Sequence, residues 1–506
     1  MTSNNPLYRV LGSSFLVEWL FAFVLVVLAR LPYLLSDHVY FDGDEAMLGI
    51  MGRDLITGQN IPFYFYGQQY GFSFFEALSA GFFILFLGST VWSLKFGGML
   101  LFSLGIQRLL KVLRVNQVSI LTFSLTAFIL VAFPTWVVWG TKLRGGYITA
   151  FVTTAFITEL LFNRDSWARN TWIMVGVLSA ITAVAQPFFI LPIAFLMLNK
   201  AFDSQKSELL IGIISGTISL VILRALAYLN PDYWNTPMDT HFNLDSLTRY
   251  FGENFLSNFT GFFAFTDYYE VPQPVIVGAV VFLVSLAVLV VYQLIVSKSS
   301  SKQAIALLLL GTLSTVLVLP FFPLEGGRYQ LPFFTGILLL ILVLAISHSL
   351  SLKHIHNGLL IVCLGSLIPT LAHFDKYVSY WLEREEPDMK RLTELMDVLE
   401  ERDLRYGFVS EWQLIWQLNY LGNDEMAFRY QTIAERVPRF VEKANACYLD
   451  PNCKTVLTGG VWPLHDMQTV PGWNDSIEKI NARYYVMENP DTIFLNKGRF
   501  ELPEGN

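Results

Sequence analysis

Charged residues are scarce in this chain of 506 residues: Asp, Glu, Lys and Arg together make up 15% of it, whereas a soluble globular protein usually carries about 25%. Hydrophobic residues make up 54%, which is more than one water-soluble core could use. This composition excludes a disordered protein, a coiled coil and an ordinary soluble enzyme. A polytopic membrane protein remains, provided that the apolar residues occur in runs of about 20.

Cysteine and histidine are also rare, with three and seven residues. No paired His or Cys ligand spacing accompanies His241, so we do not expect it to bind a metal. Cys447 and Cys453 flank the sequence YLDPN and could form a disulfide in an oxidising compartment. Cys363 lies inside an apolar run and is expected to stay reduced.

Apolar runs recur along the first three quarters of the chain. The first, Phe15 to Leu35, lacks a small-residue cleavage site, so we interpret it as an uncleaved first span rather than a signal peptide. Together the runs predict about eleven membrane-spanning helices, the shorter of which need partners or local thinning of the bilayer. After the first, they centre on 94–110, 118–138, 147–162, 171–185, 187–199, 208–228, 274–296, 303–321, 331–349 and 355–372.

The end of the chain has a different composition. Of the 41 acidic residues, 23 lie from Asp375 onward. Helix-periodic residues such as Leu392, Leu395 and Leu399 alternate there with short strand-like segments. We therefore predict a mainly helical transmembrane module over residues 1–374 and a small soluble α/β domain over residues 375–506.

The positions of the basic residues predict the orientation. If 74–88 does not span, the connections on one side of the membrane receive most of the basic residues of the body, and that side is predicted to be the cytoplasm. The stretch 74–88 then lies along the outer interface or enters the membrane as a re-entrant helix. The N-terminus is predicted to be cytoplasmic, and the C-terminal domain to lie outside the plasma (inner) membrane. The basic residues on the cytoplasmic side are Arg9, Arg108, Lys111, Arg114, Arg164, Arg169, Lys200, Lys206, Lys298, Lys302 and Lys353.

The first outer loop concentrates carboxylates at the mouth of the apolar body. In the sequence FDGDEAMLGIMGRDLITG, Asp42, Asp44 and Glu45 precede a segment with helical spacing that ends near Gly58. On one interpretation Asp44 caps the helix, Glu45 complements its dipole and Asp42 is solvated. On the other, a carboxylate here deprotonates an acceptor hydroxyl and Arg53, farther along the helix, binds a phosphate.

Other outer segments carry polar and aromatic residues beside glycine. Tyr66, Gln68 and Gln69 in YGQQY are candidates for contacts with a sugar or a head group. The turn GTKLRGGY places Lys142 and Arg144 outside, against the distribution of the other cations, and indicates either phosphate binding or contact with lipid head groups. In the turn PLEGGRYQLP, Glu325 and Arg328 could pair with each other, and Tyr147 and Tyr329 are further candidates for contact with a sugar or head group.

The order of these motifs resembles the GT-C superfamily of membrane glycosyltransferases. The resemblance covers roughly residues 1–372 and is strongest at DGDEAMLGIMGRDLITG and GGRYQLP. Within the superfamily the chain is most similar to bacterial relatives of dolichyl-phosphate-mannose protein mannosyltransferases (family 39) and of the lipid A aminoarabinose transferase. The resemblance implies a GT-C-like helical bundle that carries its active site in outer loops.

The resemblance also implies a reaction. Such enzymes move a sugar from a polyprenyl-phosphate carrier to a hydroxyl of a protein, lipid or glycan at the outer face of the membrane, usually with inversion at the anomeric carbon. It places the general base on Asp44, with Asp42 and Glu45 as neighbours that tune it. Arg53 then corresponds to a loop-helix arginine, and Arg328 to one near the carrier phosphate. The family often has an acid in its second outer loop, and none occurs between Trp139 and Tyr147.

The predicted partners are therefore a lipid-linked sugar donor, a hydroxyl acceptor and membrane lipids, without nucleic acid. No cofactor is required by this pattern, and a divalent cation bound by an acid pair such as Asp42 and Asp44 stays open. The alternative is a transporter or lipid flippase without transferase chemistry. A transporter commonly has inverted repeats and polar groups in mid-span, whereas here the unusual charges collect in outer loops.

Overall fold

The structure is a computed structural model, and it is mostly helical. The structure describes residues 6–35, 39–68, 71–163, 169–202, 206–228, 273–318, 330–347, 353–372, 388–430, 436–460 and 469–503.

Sixteen helices form the described part of the body. Twelve helical segments are apolar, and the rest are short or belong to a connection. They are α1 Pro6–Leu11, α2 Phe15–Leu34, α3 Gly43–Thr57, α4 Phe74–Leu87, α5 Val91–Val115, α6 Ile120–Ala132, α7 Pro134–Trp139, α8 Tyr147–Asn163, α9 Arg169–Ala185, α10 Leu191–Phe202, α11 Lys206–Ala227, α12 Gln273–Val296, α13 Ser299–Val318, α14 Leu331–Ile346, α15 Lys353–Gly365 and α16 Ile368–Ala372.

Each predicted apolar run coincides with one helix or with two consecutive short ones. Six helical segments are long and apolar enough to cross a membrane, and six more are apolar but shorter. Large apolar side chains such as Val221, Val284 and Leu317 are exposed on these helices, as lipid-facing residues would be. The prediction of a mainly helical membrane body is therefore confirmed.

Ion pairs between α2, α5 and α8 mark one end of the body. Glu18 of α2 accepts a hydrogen bond from Arg114 at 2.9 Å, and Glu159 of α8 pairs with Lys111 at 2.6 Å. The opposite end holds the C-terminus of α2, the N-termini of α5 and α8, and helix α3. We call this second end the α3 end.

Both ends of α4 lie at the α3 end. At its start, Glu76 accepts hydrogen bonds from the backbone N–H groups that begin α8. Just after its last turn, Ser89 contacts Arg53 of α3. α4 therefore does not carry the chain to the opposite end, which is the behaviour expected of an interfacial or re-entrant helix.

The C-terminal residues form an α/β layer with five strands, β1 Tyr406–Val409, β2 Ala427–Arg429, β3 Thr455–Gly460, β4 Glu478–Lys479 and β5 Tyr484–Glu488. They form one sheet in the order β2-β1-β3-β5-β4. β1 pairs in parallel with β2 and β3, and β5 pairs antiparallel with β3 and β4. Cys447 and Cys453 are joined by a disulfide, and Cys363 is a buried free thiol. The helices of this layer are α17 Asp388–Glu401, α18 Trp412–Leu421, α19 Pro438–Leu449, α20 Trp473–Ser476 and α21 Thr492–Lys497.

Helix α18 of this domain packs directly on α3. A Cβ atom placed on Gly49 would lie 2.3 Å from the Tyr420 ring, so only glycine allows this approach. Tyr420 is fully buried, and its hydroxyl donates to the carbonyl of Thr90 before α5. Gln417 donates to the carbonyl of Phe41 just before α3. The α/β domain is thus seated on the end of the body that carries the first-loop acids.

Candidate active site

Asp42 begins helix α3 and gathers two cations from a distant turn. Its Oδ1 accepts a hydrogen bond from the backbone N–H of Glu45 at 2.9 Å, so Asp42, and not Asp44 as the spacing predicts, is the N-cap. Its Oδ2 lies 2.7 Å from Lys142 Nζ and 3.3 Å from Arg144. One carboxylate therefore caps α3 and ties it to the turn between α7 and α8.

The surroundings keep Asp42 ionised. Burial raises the pKa of its carboxyl, but the charges of Lys142 and Arg144 outweigh burial and hold that pKa well below its usual range. Burial lowers the pKa of the Arg144 guanidinium, but the charges of Asp44 and Asp42 have the larger effect. The pKa of Arg144 is therefore above its usual value. Burial lowers the pKa of the Lys142 ammonium, and the charge of Asp42 opposes that shift.

Asp44 occupies a more open position than Asp42. Its side chain is 28% exposed, against 2% for Asp42. Its Oδ2 lies 2.6 Å from Arg144, and its Oδ1 faces Arg436 of the α/β domain at 3.9 Å. Asp44 is therefore the acid of this pair that a substrate hydroxyl could reach, with an arginine on each side.

Glu45 turns away from that opening and forms a fully buried ion pair. Lys95 Nζ in α5 lies 2.7 and 2.9 Å from its two oxygens, and neither side chain is exposed. Breaking such a pair leaves an uncompensated buried charge. Glu45 therefore joins α3 to α5 beneath the Asp42–Asp44 cluster.

The turn that carries Lys142 and Arg144 is held by a buried carboxylate. Glu76 of α4 accepts hydrogen bonds from the backbone N–H groups of Gly146, Ile148 and Thr149 at 2.8, 3.0 and 3.1 Å. A negative charge at a helix N-terminus is favoured by the unpaired N–H groups and the helix dipole. Glu76 therefore anchors the start of α8 and the turn before it.

Aromatic rings complete the surroundings of these two cations. Lys142 Nζ lies 4.0 Å from the ring centre of Tyr40 and 5.2 Å from that of Trp139. The Arg144 guanidinium carbon lies 5.9 Å from the Trp139 ring. The predicted contact residue Tyr147 packs its ring against Trp139 at 5.4 Å between centroids. Such rings attract cations through their electron-rich faces.

Arg53 lies at the other end of α3 and faces the α/β domain. Its guanidinium is 2.8 Å from Asp424 and donates to the carbonyls of Tyr420 and Asn419. The structure therefore does not bring Arg53 together with Asp42 and Asp44. Its contacts are those of a docking residue, the structural alternative to the predicted phosphate contact.

Asp54 is the centre of a second ionic cluster, beside Arg53. It receives two hydrogen bonds from Arg439 of α19, at 2.7 and 2.9 Å, and one from the Tyr66 hydroxyl at 2.8 Å. Burial, and then Asp54, raise the pKa of Tyr66 far above its usual value, so the phenol stays protonated and donates. In this arrangement the Tyr66 hydroxyl is directed at Asp54.

The remaining predicted contacts are in the loop after α3 or outside the described residues. Gln68 is half-buried, and its backbone N–H donates to the carbonyl of Phe65. Gln69, Arg328 and Tyr329 lie outside the described residues, as does the acidic loop 229–272 with His241.

The donor set near Asp42 does not fit a metal ion. Within the described ranges, no group of three or more His, Cys, Asp or Glu side chains could hold a cation. Asp42 and Asp44 already face Lys142 and Arg144, and these charges would repel a divalent ion.

Sequence reasoning missed four participants: Glu76, Lys95, Asp54 and Arg436. Their partners lie 70, 50, 385 and 392 residues away along the chain, so no local pattern relates them. Glu76 and Lys95 could have been recognised in the sequence, because each is a charged residue at the start of an apolar helix. A charge in such a position is costly unless it is paired.

Comparisons with known proteins give two structural likenesses. No family model matches the chain, and no curated protein matches it. Among solved structures it is similar to ArnT from Cupriavidus metallidurans in the apo state, with a TM-score of 0.47 and 12% identity over 94% of this chain and 99% of that one. It is also similar to the arabinofuranosyltransferase AftD from Mycobacteria, with a TM-score of 0.46 and 15% identity over 88% of this chain and 35% of that one. Both scores are below 0.5, so the function must be argued from the residues themselves.

Proposed function

We propose that this protein is a membrane glycosyltransferase that moves a sugar from a polyprenyl-phosphate carrier to a hydroxyl acceptor at the outer face of the membrane. The observation that carries this proposal is the pairing of Asp42 and Asp44 with Lys142 and Arg144 at one end of an apolar helical body. A lipid-linked sugar needs a site at the boundary between membrane and water. Transfer from a phosphate also needs a base for the acceptor and cations for the leaving group.

Asp44 is the proposed general base. In the step we propose, the acceptor hydroxyl gives its proton to the Asp44 carboxylate while its oxygen forms a bond to the anomeric carbon. The bond between that carbon and the carrier phosphate oxygen breaks, and its electron pair leaves with the phosphate. Asp42 is buried and bound on both oxygens, so its proposed role is to hold the two cations in place.

Lys142 and Arg144 are the proposed partners of the departing phosphate. The leaving group gains negative charge as the bond breaks, and fixed cations stabilise that charge. Arg144 contacts both Asp42 and Asp44. When Asp44 takes up the acceptor proton it loses its charge, which weakens its hold on Arg144 as the phosphate charge develops.

Glu45 and Tyr147 have supporting roles in this proposal. Glu45 fixes the first turn of α3 through its pair with Lys95, and Tyr147 supplies an aromatic surface beside the cations.

The proposal is tested by supplying the full-length protein in nanodiscs with short-chain polyprenyl phosphates that carry different sugars. Release of polyprenyl phosphate, by transfer or by hydrolysis, is expected for at least one donor. Movement of the intact lipid-linked sugar between bilayer leaflets without its cleavage would instead identify a flippase. The same nanodiscs without protein supply the background rate.

A further inference from the structure

We propose that the C-terminal α/β domain forms one wall of the active site and lends it Arg436 as a third cation for the carrier phosphate. This inference rests on the proposed function. Arg436 lies two residues before α19, and its Nη1 is 3.9 Å from Asp44 Oδ1. Arg144 binds the other oxygen of the same carboxylate. The candidate base is thus flanked by one arginine from the body and one from the domain.

Aromatic residues from two different parts of the molecule hold the Arg436 guanidinium. Its central carbon lies 5.3 Å from the ring centre of Phe65, in the loop after α3, and 5.1 Å from that of Trp412, at the start of α18. A guanidinium stacks well on such rings and keeps its edge donors for oxygen ligands. The rings therefore hold the Arg436 guanidinium beside Asp44.

The stem of Arg436 also has a fitted position in the body. A Cβ atom placed on Gly67 would lie 2.8 Å from Arg436 Cγ, and Gly67 has a φ of +73°, which favours glycine. The loop after α3 thus makes room for this side chain. The side chain is 17% exposed, so it is enclosed without being sealed from the space beside Asp44.

Among the described ion pairs around Asp44, the formal positive charges outnumber the negative ones. Asp42 and Asp44 contribute two negative charges, whereas Lys142, Arg144 and Arg436 contribute three positive ones. The neighbouring buried acid, Glu45, is balanced by its own partner Lys95. Among these named groups one positive charge remains, and arginine is the side chain best suited to bind phosphate oxygens in pairs.

The test measures binding of a sugar-free, short-chain polyprenyl phosphate to the full-length protein in phosphatidylcholine nanodiscs. We expect Arg436→Gln to raise the Kd about tenfold or more, because a charge-assisted contact is lost. Arg436→Lys keeps the positive charge but loses the planar guanidinium, so its Kd should lie between those of the wild type and Arg436→Gln. Arg405→Gln is the matched control. Arg405 is an arginine of the same domain that directly precedes β1, and among the ion pairs described it contacts only the exposed Asp403 and Glu425.

The outcomes separate this inference from the function on which it rests. A wild-type Kd in Arg436→Gln, with unchanged binding in Arg405→Gln, would overturn the role of Arg436 alone. No binding to the wild-type protein would overturn the proposed function as well. Equal displacement of the probe by phosphatidylglycerol would show a general head-group site and would also overturn the inference. Melting temperatures of all variants, compared with wild type, separate lost binding from lost folding, and a folded Arg436→Lys protein keeps the test decisive.

Discussion

At the scale of single residues, two acids separated by one position have different environments. Asp42 precedes α3, and its carboxylate turns back to cap the helix and meet Lys142. Asp44 lies within the first turn, where its side chain projects outward between Arg144 and Arg436. The difference follows from their positions relative to the helix start. We therefore expect substitutions of the two acids to affect different properties.

Replacing Asp42 with Asn should reduce stability in a pH-dependent way. The pKa of Asp42 is held below its usual range, so its ionised form stabilises the folded state at neutral pH. That contribution is present above the unfolded-state pKa of about 3.9 and is lost as pH falls towards the depressed folded-state pKa. The measurement is the melting temperature of both proteins between pH 7 and 3. The difference in melting temperature between the wild type and Asp42→Asn should be constant down to about pH 5 and then become smaller. A difference that grows in acid would contradict the stabilising role of ionised Asp42.

Glu76→Gln should loosen the turn that carries the cations. Both oxygens of Glu76 accept backbone N–H groups, whereas an amide has only one acceptor oxygen, and leaving buried donors unsatisfied costs about 1–3 kcal/mol. We expect a lower melting temperature and a raised KM for the lipid-linked donor, with a smaller change in kcat. The exposed Glu442→Gln provides the matched control. Unchanged KM and stability would show that Glu76 does not position the turn.

The site was predictable where its charges lie within a short motif. Asp42, Asp44 and Glu45 stand together in one loop, and Lys142 and Arg144 oppose the charge distribution of the other turns, so each group was visible in the sequence. The choice of N-cap was wrong, because Asp42 and Asp44 both satisfy the capping pattern and the helix begins at Gly43, where Asp42 accepts the hydrogen bond from Glu45 N–H. Arg436 could not be predicted, since its contact with Asp44 depends on how the α/β domain is seated.

At the scale of elements, α3 is the connection between the body and the domain. Its first turn carries the candidate site, one side packs on α4, and another packs on α18 through Gly49. Near its C-terminal end, Arg53 and Asp54 bind Asp424 and Arg439. A short helix with little exposed surface thus positions the acids and docks the domain at once.

Gly49→Ala should displace α18 from α3. The added methyl group would overlap the buried Tyr420 ring, and overpacking of this kind costs about 1–3 kcal/mol. We expect a lower melting temperature and faster proteolysis within the domain. In Gly358→Ala the new Cβ meets nothing within 4 Å, so this control should match the wild type. Equal behaviour of the two variants would mean that the α3–α18 contact is not tight.

The helical elements themselves were predictable because long apolar runs leave the chain few alternatives in a bilayer. The predicted end of α3 is also present, since Gly58 adopts the left-handed conformation of a C-cap. The order of the sheet and the contacts of α18 were not predictable, because both depend on pairing between segments far apart in the chain.

At the scale of the whole molecule, the α3 end and the α/β domain form one continuous assembly, and the excess of basic residues near the other end predicts that this assembly lies outside. The orientation can be tested in intact cells with Asp475→Cys, at an exposed position in the domain. The native cysteines give little background, because two form a disulfide and Cys363 is buried. We expect labelling by a membrane-impermeant maleimide from outside; labelling only after lysis would place the domain in the cytoplasm.

The central claim is that Asp44 accepts the proton of the acceptor. The most direct measurement is the rate of transfer from a lipid-linked sugar by the wild type, by Asp44→Asn and by the exposed control Asp403→Asn. Losing a general base typically lowers the rate by about 10²–10⁴-fold, so Asp44→Asn should lose that much in kcat while Asp403→Asn keeps the wild-type rate. Wild-type turnover in a folded Asp44→Asn protein would contradict the account.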